Sequence, residues 1–287
     1  MRILVTGSNG QLGNEIRVLS ENYPDFDFNY TDVAELDITD HQKVEAYFKA
    51  YKPNVIINCA AYTAVDNAES DEKTAYLINA KAVEILAKAS AKAGALMIHI
   101  STDYVFDGKS YLPYNENDKI NPLSAYGRSK LAGEDAVRQY ATKGIIFRTA
   151  WLYSAFGNNF VKTMIKYGIE RDELKVVFDQ VGTPTYAKDL AKTILDILPF
   201  AVQHSGTDLF HYSNEGVASW YDFAKFIMDF SGINCNIKPI LTREYPLPAT
   251  RPFYSVLNKS KIKEMYNITI PYWSDSVKDC IKRLSKK

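Results

Sequence analysis

The first informative stretch reads Arg2-Ile3-Leu4-Val5-Thr6-Gly7-Ser8-Asn9-Gly10-Gln11-Leu12-Gly13. A short β-branched run stops at a glycine-rich turn, and Leu12, Ile16 and Leu19 then recur at helical spacing. This pattern predicts a strand, a tight turn and a helix. The glycines let the backbone approach a pyrophosphate, whose charge is met by the N–H groups and the dipole of the helix N-terminus. We therefore expect a dinucleotide to bind here.

The first half of the chain repeats this alternation. Runs typical of strands lie at 26–31, 53–58, 95–100 and 144–150, and helical patterns separate them. One of these helices is expected over 70–93. Strands that alternate with helices in this way predict an α/β fold, a doubly wound parallel sheet of the Rossmann type with right-handed crossovers.

The alternation loosens after residue 150. A segment rich in proline and threonine at 243–252 indicates a loop that closes over something. We expect residues 1–150, with parts of 175–212 returning to them, to form the dinucleotide-binding domain. Residues 151–287 are expected to form mainly a smaller C-terminal substrate-binding lobe, with the substrate between the two.

Charge and composition disfavour several classes of protein. Lysine plus arginine equals aspartate plus glutamate at 34 each, so no net field attracts nucleic acid or an anionic membrane. We find no apolar run of about 18 residues and no room for a signal peptide before the first strand, and expect a cytoplasmic protein. Cysteines and histidines lack the spacing of a disulfide framework or a metal site; they are Cys59, Cys235, Cys280, His41, His99, His204 and His211.

Other loops are placed to contact the expected dinucleotide. Asp32 ends the second strand roughly twenty residues beyond the glycines, where a carboxylate takes the ribose hydroxyls. An acid there repels a 2′-phosphate and favours NADH, although a different loop arrangement admits NADPH. Asp37 and Ile38 lie in a loop placed to face the adenine. Small residues at 59–63, after the third strand, allow close approach of a ligand.

The stretch Ser124-Ala125-Tyr126-Gly127-Arg128-Ser129-Lys130 predicts a catalytic pair. Tyr126 and Lys130 are four residues apart and share one face of a helix. A phenol alone titrates near ~10. An ammonium about 4 Å away at an effective dielectric of ~20 favours the phenolate by roughly 4 kcal/mol, or about three pKa units. We therefore expect Lys130 to lower the pKa of Tyr126.

An amphipathic helix with a half-buried tyrosine and a solvated lysine is the alternative. The segment 101–103 favours chemistry, because it follows the fourth strand and ligands of open α/β sheets bind at the carboxyl ends of strands. A pyrophosphate turn, a strand-end hydroxyl and this pair indicate hydride transfer to a carbonyl. Thr102 would hydrogen-bond the carbonyl oxygen, Tyr126 would protonate it, and Lys130 would also hold the nicotinamide ribose.

On these motifs the chain resembles the extended short-chain dehydrogenase/reductases and, within them, the dTDP-4-dehydrorhamnose reductase family, over essentially its whole length. The matching stretches are 7–13, 58–66, 101–108, 126–130, 148–151, 157–160, 179–185 and 249–252. The resemblance implies reduction of the C4 ketone of dTDP-4-dehydro-L-rhamnose to dTDP-L-rhamnose by NADPH or NADH. It implies a small-molecule sugar nucleotide as partner, and we expect a monomer or homodimer.

The resemblance also implies individual roles. The catalytic residues would be Thr102, Tyr126 and Lys130. The cofactor would contact Gly7, Gly10, Gln11, Leu12, Gly13, Asp32, Asp37, Ile38, Ala60, Ala61, Tyr62, Thr63, Ile100, Tyr126 and Lys130. The sugar nucleotide would contact Val65, Asp66, Thr102, Asp103, Tyr104, Trp151, Asn159 and Arg251.

Three of the substrate residues have structural alternatives. Trp151 suits the apolar face of a deoxysugar, but could belong to the core. Arg251 suits a diphosphate, but could lie in a solvated loop. Asp66 could simply start the next helix.

A metal site known in part of the family matches this sequence incompletely. Some members dimerise through a magnesium ion held by glutamates, and Glu15 stands at a matching place. Lys188 stands where a second glutamate is expected, and its charge would repel a cation. We expect no required metal.

Two other functions compete with reduction. A sugar-nucleotide 4,6-dehydratase or 4-epimerase has the same fold, but dehydratases carry Thr-Asp-Glu where this chain has Thr102-Asp103-Tyr104. A non-catalytic subunit resembling the regulatory β subunit of methionine adenosyltransferase is the second, and the intact Thr102, Tyr126 and Lys130 disfavour it. The nucleotide base, the sugar stereochemistry and the choice between NADH and NADPH stay open at this point.

Overall fold

The structure, a computed structural model, describes residues 1–203 and 205–285, so His204 lies outside the described residues. The strands are β1 (Arg2–Thr6), β2 (Asp27–Thr31), β3 (Val55–Asn58), β4 (Leu96–Thr102), β5 (Lys143–Thr149), β6 (Leu152–Tyr153), β7 (Glu173–Val177), β8 (Val181–Gly182), β9 (Thr185–Tyr186), β10 (Gly206–His211), β11 (Ala218–Ser219) and β12 (Asn236–Ile240). The α-helices are α1 (Gln11–Leu19), α2 (His41–Tyr51), α3 (Val65–Ala68), α4 (Glu72–Tyr76), α5 (Ala82–Ala93), α6 (Ala125–Tyr140), α7 (Phe160–Glu170), α8 (Ala187–Ala201), α9 (Trp220–Ser231), α10 (Ser260–Tyr266) and α11 (Trp273–Leu284). None of these helices is long and apolar enough to cross a membrane.

Six strands form one parallel sheet in the order β10-β5-β4-β3-β1-β2. The predicted α/β fold, a doubly wound parallel sheet, is therefore confirmed. The chain winds outward from β1 in both directions, so the strand order reverses between β1 and β3. Ligands of such sheets bind at the carboxyl ends of the strands beside this reversal. The ends of β1, β3 and β4 carry the segments in which the sequence predicts a site.

Helices cover both faces of the sheet. On one face, Ile3, Val5 and Ile57 pack with residues of α1 and α8 in one buried cluster. On the other face, Leu4 and Ile56 pack with residues of α2, α5 and α6. Burial on both faces explains why these strands read as continuous apolar runs instead of alternating ones.

A separate core lies in the C-terminal part of the chain. It joins α7, β7, α9, β12 and α11, and residues such as Phe223, Ile227 and Val277 are fully buried in it. β7 pairs with β12 in a two-stranded parallel sheet. Two later elements return to the large sheet: β10 pairs with β5, and α8 packs against α1.

One local expectation needs correction, and two helices were not predicted. The helix expected over 70–93 consists of α4, a π-helical turn at Leu77–Lys81 and α5, and it ends at Gly94. The sequence analysis missed α10 and α11 altogether.

Candidate active site

The glycine-rich turn presents the N-terminus of α1 at the carboxyl edge of the sheet. Gly10 is the N-cap residue, its N–H donates to the carbonyl oxygen of Gly7 at 3.1 Å, and no described side chain caps the helix. The N–H groups of the first turn are therefore available to an anion. Asn9 fixes the turn, because its backbone N–H donates to Oδ2 of Asp32 at 3.0 Å.

Gly7 is required at its position for two reasons. Its φ of 63° lies in the left-handed region, and a Cβ there would lie 2.5 Å from the backbone of Ala60. The turn after β1 thus packs directly on the turn after β3, which brings two segments of the predicted cofactor site together.

We expect Gly7→Ala to destabilise the protein by more than the ~1–2 kcal/mol typical of a forced left-handed residue, and to weaken NADPH binding about tenfold or more. The added Cβ must displace the backbone of Ala60. Gly94→Ala is the matched control, since Gly94 has a φ of 66° but no atom within 4 Å of the added Cβ. Thermal unfolding and a fluorescence titration with NADPH check both variants. Equal losses in the two would show that the contact with Ala60 is unimportant.

The residues predicted to hold the adenosine are placed differently from one another. Asp32 is partly exposed at the end of β2, where its Oδ1 also accepts from the N–H of Val33 at 2.8 Å. Hydrogen bonds from Thr39 lower the pKa of Asp37 and engage one of its oxygens. Ile38 is 8% exposed and packs in the core beneath the sheet. Both carboxylates are thus partly exposed, and each oxygen of Asp32 accepts one backbone N–H of the surrounding turn.

The turn after β3 is held by a residue that the sequence analysis missed. Asn79, fully buried in the π-helical turn, accepts from the N–H of Tyr62 at 2.9 Å and donates to its carbonyl at 3.0 Å. The same amide donates to Oγ of Ser129 on α6 at 3.0 Å. In the sequence, the only sign of this role is that a polar asparagine stands on the inner face of an otherwise apolar helical pattern. Asn79 fixes Ala60, Ala61, Tyr62 and Thr63 relative to α6.

The three predicted catalytic residues lie together. Ser124 caps α6 by accepting from the N–H of Gly127 at 3.0 Å, which starts the helix just before Tyr126. The hydroxyls of Tyr126 and Thr102, which ends β4, are hydrogen-bonded to each other. Lys130, only 2% exposed, donates from Nζ to the carbonyl of Ile100 at 2.6 Å.

The expected pKa of Tyr126 is wrong for this structure. Burial raises the pKa of Tyr126 above its ordinary value, and the opposing effect comes from the hydrogen bond with Thr102. Burial also lowers the pKa of Lys130 to about 8. Desolvation is the largest influence on the pKa of both groups, and the ammonium of Lys130 donates to the carbonyl of Ile100. Tyr126 therefore keeps its proton at neutral pH, as a general acid must.

Asp103 and Tyr104 border the catalytic hydroxyls. Oδ1 of Asp103 accepts from the hydroxyl of Thr102 at 3.0 Å, and burial raises the pKa of Asp103 to about 6. The ring of Tyr104 meets that of Tyr126 edge-on, with centroids 5.5 Å apart. These contacts place both residues against the position where a ketone would meet Tyr126.

Asp66 and Arg251 are paired with each other, an arrangement not foreseen from the sequence. The guanidinium donates from both terminal nitrogens to the two carboxylate oxygens, at 2.9 and 2.7 Å, and the N–H of Ala249 donates to the same carboxylate at 3.1 Å. The pair joins α3, which begins at Val65, to the segment 243–252. Arg251 is thus neither free nor simply solvated.

A cavity of about 930 Å³ lies beyond this pair in the C-terminal part. Its lining includes the Asp66–Arg251 pair and the aromatic residues Phe160, Tyr167 and Trp220. A cavity of this size with aromatic walls and a few charged groups is typical of a site for a nucleotide-sized ligand.

Trp151 and Asn159 connect this cavity to the glycine turn. Trp151 has a φ of 50° and stacks on Trp220 with centroids 3.6 Å apart. A left-handed tryptophan is strained, and such strain is frequent at binding sites. Asn159 caps α7 and donates to Oε1 of Gln11 at 3.1 Å. Leu12, beside Gln11, is buried in the sheet core, so its side chain serves packing.

Glu15 is bound by residues of this chain. Its carboxylate is fully buried and accepts from Arg283 at 2.9 Å and from Ser154 at 2.6 Å. Lys188 pairs with Asp279 at 2.9 Å. Within residues 1–203 and 205–285, we find no group of three or more His, Cys, Asp or Glu side chains arranged to hold a metal ion.

Comparison with known proteins assigns the family. The model of the RmlD substrate binding domain matches residues 1–286. The dTDP-4-dehydrorhamnose reductase of Escherichia coli (strain K12) is 40% identical over 294 residues, covering 99% of this chain and 98% of that protein.

Solved structures agree. That of a dTDP-4-dehydrorhamnose reductase from Clostridium acetobutylicum ATCC 824 is 46% identical, with a TM-score of 0.95, over 99% of this chain and 100% of that one. That of the Bacillus anthracis str. Ames enzyme in complex with NADP is 39% identical, with a TM-score of 0.93, over 98% and 99%. The resemblance inferred from the motifs is confirmed: this chain belongs to the RmlD substrate binding domain family, together with the dTDP-4-dehydrorhamnose reductases.

Proposed function

We propose that this chain reduces the C4 ketone of dTDP-4-dehydro-L-rhamnose to dTDP-L-rhamnose with NADPH or NADH. The observation that carries the proposal is the hydrogen bond between Thr102 and Tyr126 beside buried Lys130, at the sheet edge that holds the glycine turn. A phenol and a threonine hydroxyl that lie side by side can bind a ketone oxygen and protonate it. We infer the identity of the substrate from the relatives, which are named as dTDP-4-dehydrorhamnose reductases.

The mechanism requires a hydride and a proton at opposite ends of one carbonyl. When bound, a reduced nicotinamide would supply the hydride to C4. Thr102 holds the ketone oxygen by a hydrogen bond, and Tyr126 transfers its phenolic proton to that oxygen as the C=O double bond becomes a single bond. Lys130 stabilises the phenolate that remains, and exchange with solvent returns the proton.

The chain's own residues fit a dinucleotide. The uncapped first turn of α1 suits a pyrophosphate, Gly7 gives the close approach, and Asp32 suits the ribose hydroxyls. The carboxylate of Asp32 disfavours a 2′-phosphate, yet the Bacillus anthracis relative is described in complex with NADP. We propose that both NADH and NADPH are accepted.

We also propose that two parts of the chain bind different ligands. Residues 1–150, with α8 and β10, hold the cofactor, and 151–287 mainly hold the sugar nucleotide in the cavity of about 930 Å³. Free Cys59, Cys235 and Cys280 suit a reducing compartment, which supports action in the cytoplasm. We propose a monomer or homodimer that needs no metal.

Arg251→Lys is expected to raise the KM for the sugar nucleotide about tenfold, with a smaller effect on kcat. Lysine keeps the charge but cannot reproduce the two parallel bonds to Asp66 that hold the segment 243–252 over the cavity. Steady-state kinetics measure both constants. Arg243→Lys makes the same change at an exposed position of the same segment and should leave KM unaltered. An unchanged KM in Arg251→Lys would place the pair outside the binding site.

The proposed activity is tested by mixing the chain with dTDP-4-dehydro-L-rhamnose and NADPH or NADH. We expect one nicotinamide oxidised for each dTDP-L-rhamnose formed, followed by absorbance and by NMR of the product. Many turnovers on a trace of NAD would indicate an epimerase or dehydratase instead. Tyr104 stands where dehydratases carry glutamate, which argues against elimination. Absence of any turnover would favour the non-catalytic regulatory function.

A further inference from the structure

The end of β4 is attached to α6 at three consecutive residues. Thr102 is hydrogen-bonded to Tyr126, the carbonyl of Ile100 accepts from Lys130 at 2.6 Å, and Oγ of Ser101 donates to Glu134 at 2.6 Å. Tyr126, Lys130 and Glu134 are spaced by four residues, so they form one stripe along the helix. Two contacts of this set belong to the proposed chemistry, and the third is unexplained by it.

Glu134 is surrounded by donors from three elements. Its side chain is fully buried and accepts from Ser101 on β4, from Arg138 on its own helix at 2.8 Å, and twice from Arg148 on β5 at 2.8 Å. Ser101 and Arg148 are direct partners in the β4–β5 register, so both face the same carboxylate. Burial acts to raise the pKa of Glu134, but the bonds and charge of Arg148 hold it below its ordinary value. The carboxylate is therefore ionised.

Lys130 experiences this charge one helical turn away. Burial lowers the pKa of Lys130 to about 8, and Glu134 is the largest of the effects that oppose burial. Among the described residues, Cys59 after β3 and His99 on β4 interact electrostatically with Lys130, and His211 on β10 interacts with Glu134. Tyr126 lies one helical turn before Lys130 on the same stripe of α6. Burial keeps these four neutral near pH 8, because it raises the pKa of Cys59 and Tyr126 and lowers that of both histidines. Glu134, which accepts hydrogen bonds from Arg138 and Arg148, therefore supplies the negative charge that opposes the effect of burial on the pKa of Lys130.

We propose that Glu134 is a positioning residue: it fixes the end of β4 against α6 through Ser101 and keeps Lys130 protonated beside Tyr126. Neither the family assignment nor the reaction written above requires this role. The proposal rests on the proposed function only for its effect on turnover, because the protonation of Lys130 is measurable without substrate.

Two variants separate charge from packing. Glu134→Gln keeps the shape but leaves Arg148 buried without an anion, which threatens folding. The double variant Glu134→Gln/Arg148→Met removes that stranded cation as well. Glu134→Asp restores the charge. Asp135→Asn is the matched control, since Asp135 is the exposed neighbour on the same helix and also pairs with Arg138.

The direct readout is the titration of Lys130 in protein carrying 13C-labelled lysine, with its signal identified by loss in Lys130→Met. We expect the midpoint of Lys130 to fall by about one pH unit in both Gln variants and to return toward the wild-type value in Glu134→Asp. The alkaline limb of kcat/KM should move by the same amount, and turnover at pH 7 should fall about twofold, because a midpoint lowered from about 8 by one unit leaves about half of Lys130 protonated. Asp135→Asn should change neither quantity.

The opposite result is equally clear. If the double variant melts at a lower temperature but keeps the wild-type midpoint of Lys130 and the wild-type pH profile, Glu134 has a purely structural role and the proposal is wrong. If the midpoint moves while no reductase activity exists in any form, the proposed function fails and the link between Glu134 and Lys130 stands.

Discussion

Tyr126→Phe should lower kcat for reduction of the 4-keto sugar by roughly 10²-fold to 10³-fold, with little change in the Kd for NADPH. The substitution removes only the hydroxyl, and general acid catalysis contributes 10²-fold to 10⁴-fold in known enzymes. Thr102 remains, but its single O–H donates to Asp103 and must turn from that carboxylate to bind the ketone oxygen, and it is a weaker acid than a phenol. Steady-state kinetics and a cofactor titration measure the two quantities.

Tyr140→Phe is the control for this prediction, because Tyr140 ends the same helix and stacks with Lys88 away from the site. It should behave as wild type. Burial raises the pKa of Tyr126, so no limb from the phenol is expected in the neutral pH profile of the wild-type enzyme. A near-normal rate in Tyr126→Phe would remove Tyr126 from the mechanism and leave the proton without a donor in this set of residues.

The fold was predictable where local pattern and tertiary structure agree. The strand, glycine turn and helix at the N-terminus form as predicted, since a buried parallel strand must be apolar throughout and the turn needs glycine. The π-helical turn at Leu77–Lys81 was not predictable, because its Asn79 is held by Tyr62 and Ser129 from distant segments. In α11, Trp273, Val277 and Ile281 do recur at helical spacing, and the sequence analysis overlooked them.

The sequence was sufficient to predict which residues form the catalytic set, but not their ion pairs or their pKa values. Thr102 and Tyr126 follow from a strand end and a helix start, which meet at the edge of any such sheet. The pairing of Asp66 with Arg251 joins residues 185 positions apart and has no local signal. The low pKa of Lys130 depends on how much of the chain covers it, which residue spacing does not reveal.

Lys130→Met is expected to make the protein inactive and, at neutral pH, at least as stable as wild type. Turnover should fall roughly 10²-fold or more, because the phenolate of Tyr126 loses its cation. Burial lowers the folded-state pKa of Lys130 from 10.5 to about 8. Keeping the ammonium charged inside the protein therefore costs on the order of 3 kcal/mol below pH 8. This cost shrinks as pH rises through the folded-state pKa and is gone above 10.5.

Methionine avoids that cost. It leaves the carbonyl of Ile100 without its donor, however, and this loss destabilises the folded variant by about 1–3 kcal/mol. Thermal melting at pH 7 and pH 10 should thus show the variant's relative stability declining with pH. Lys130→Arg supplies the contrast: it cannot lose its proton, so the fall in kcat/KM expected above pH 8 in the wild type should disappear. A Lys130→Met protein that melts well below wild type at pH 7, with its losses of rate and stability in parallel, would mean that Lys130 acts through packing and not through charge.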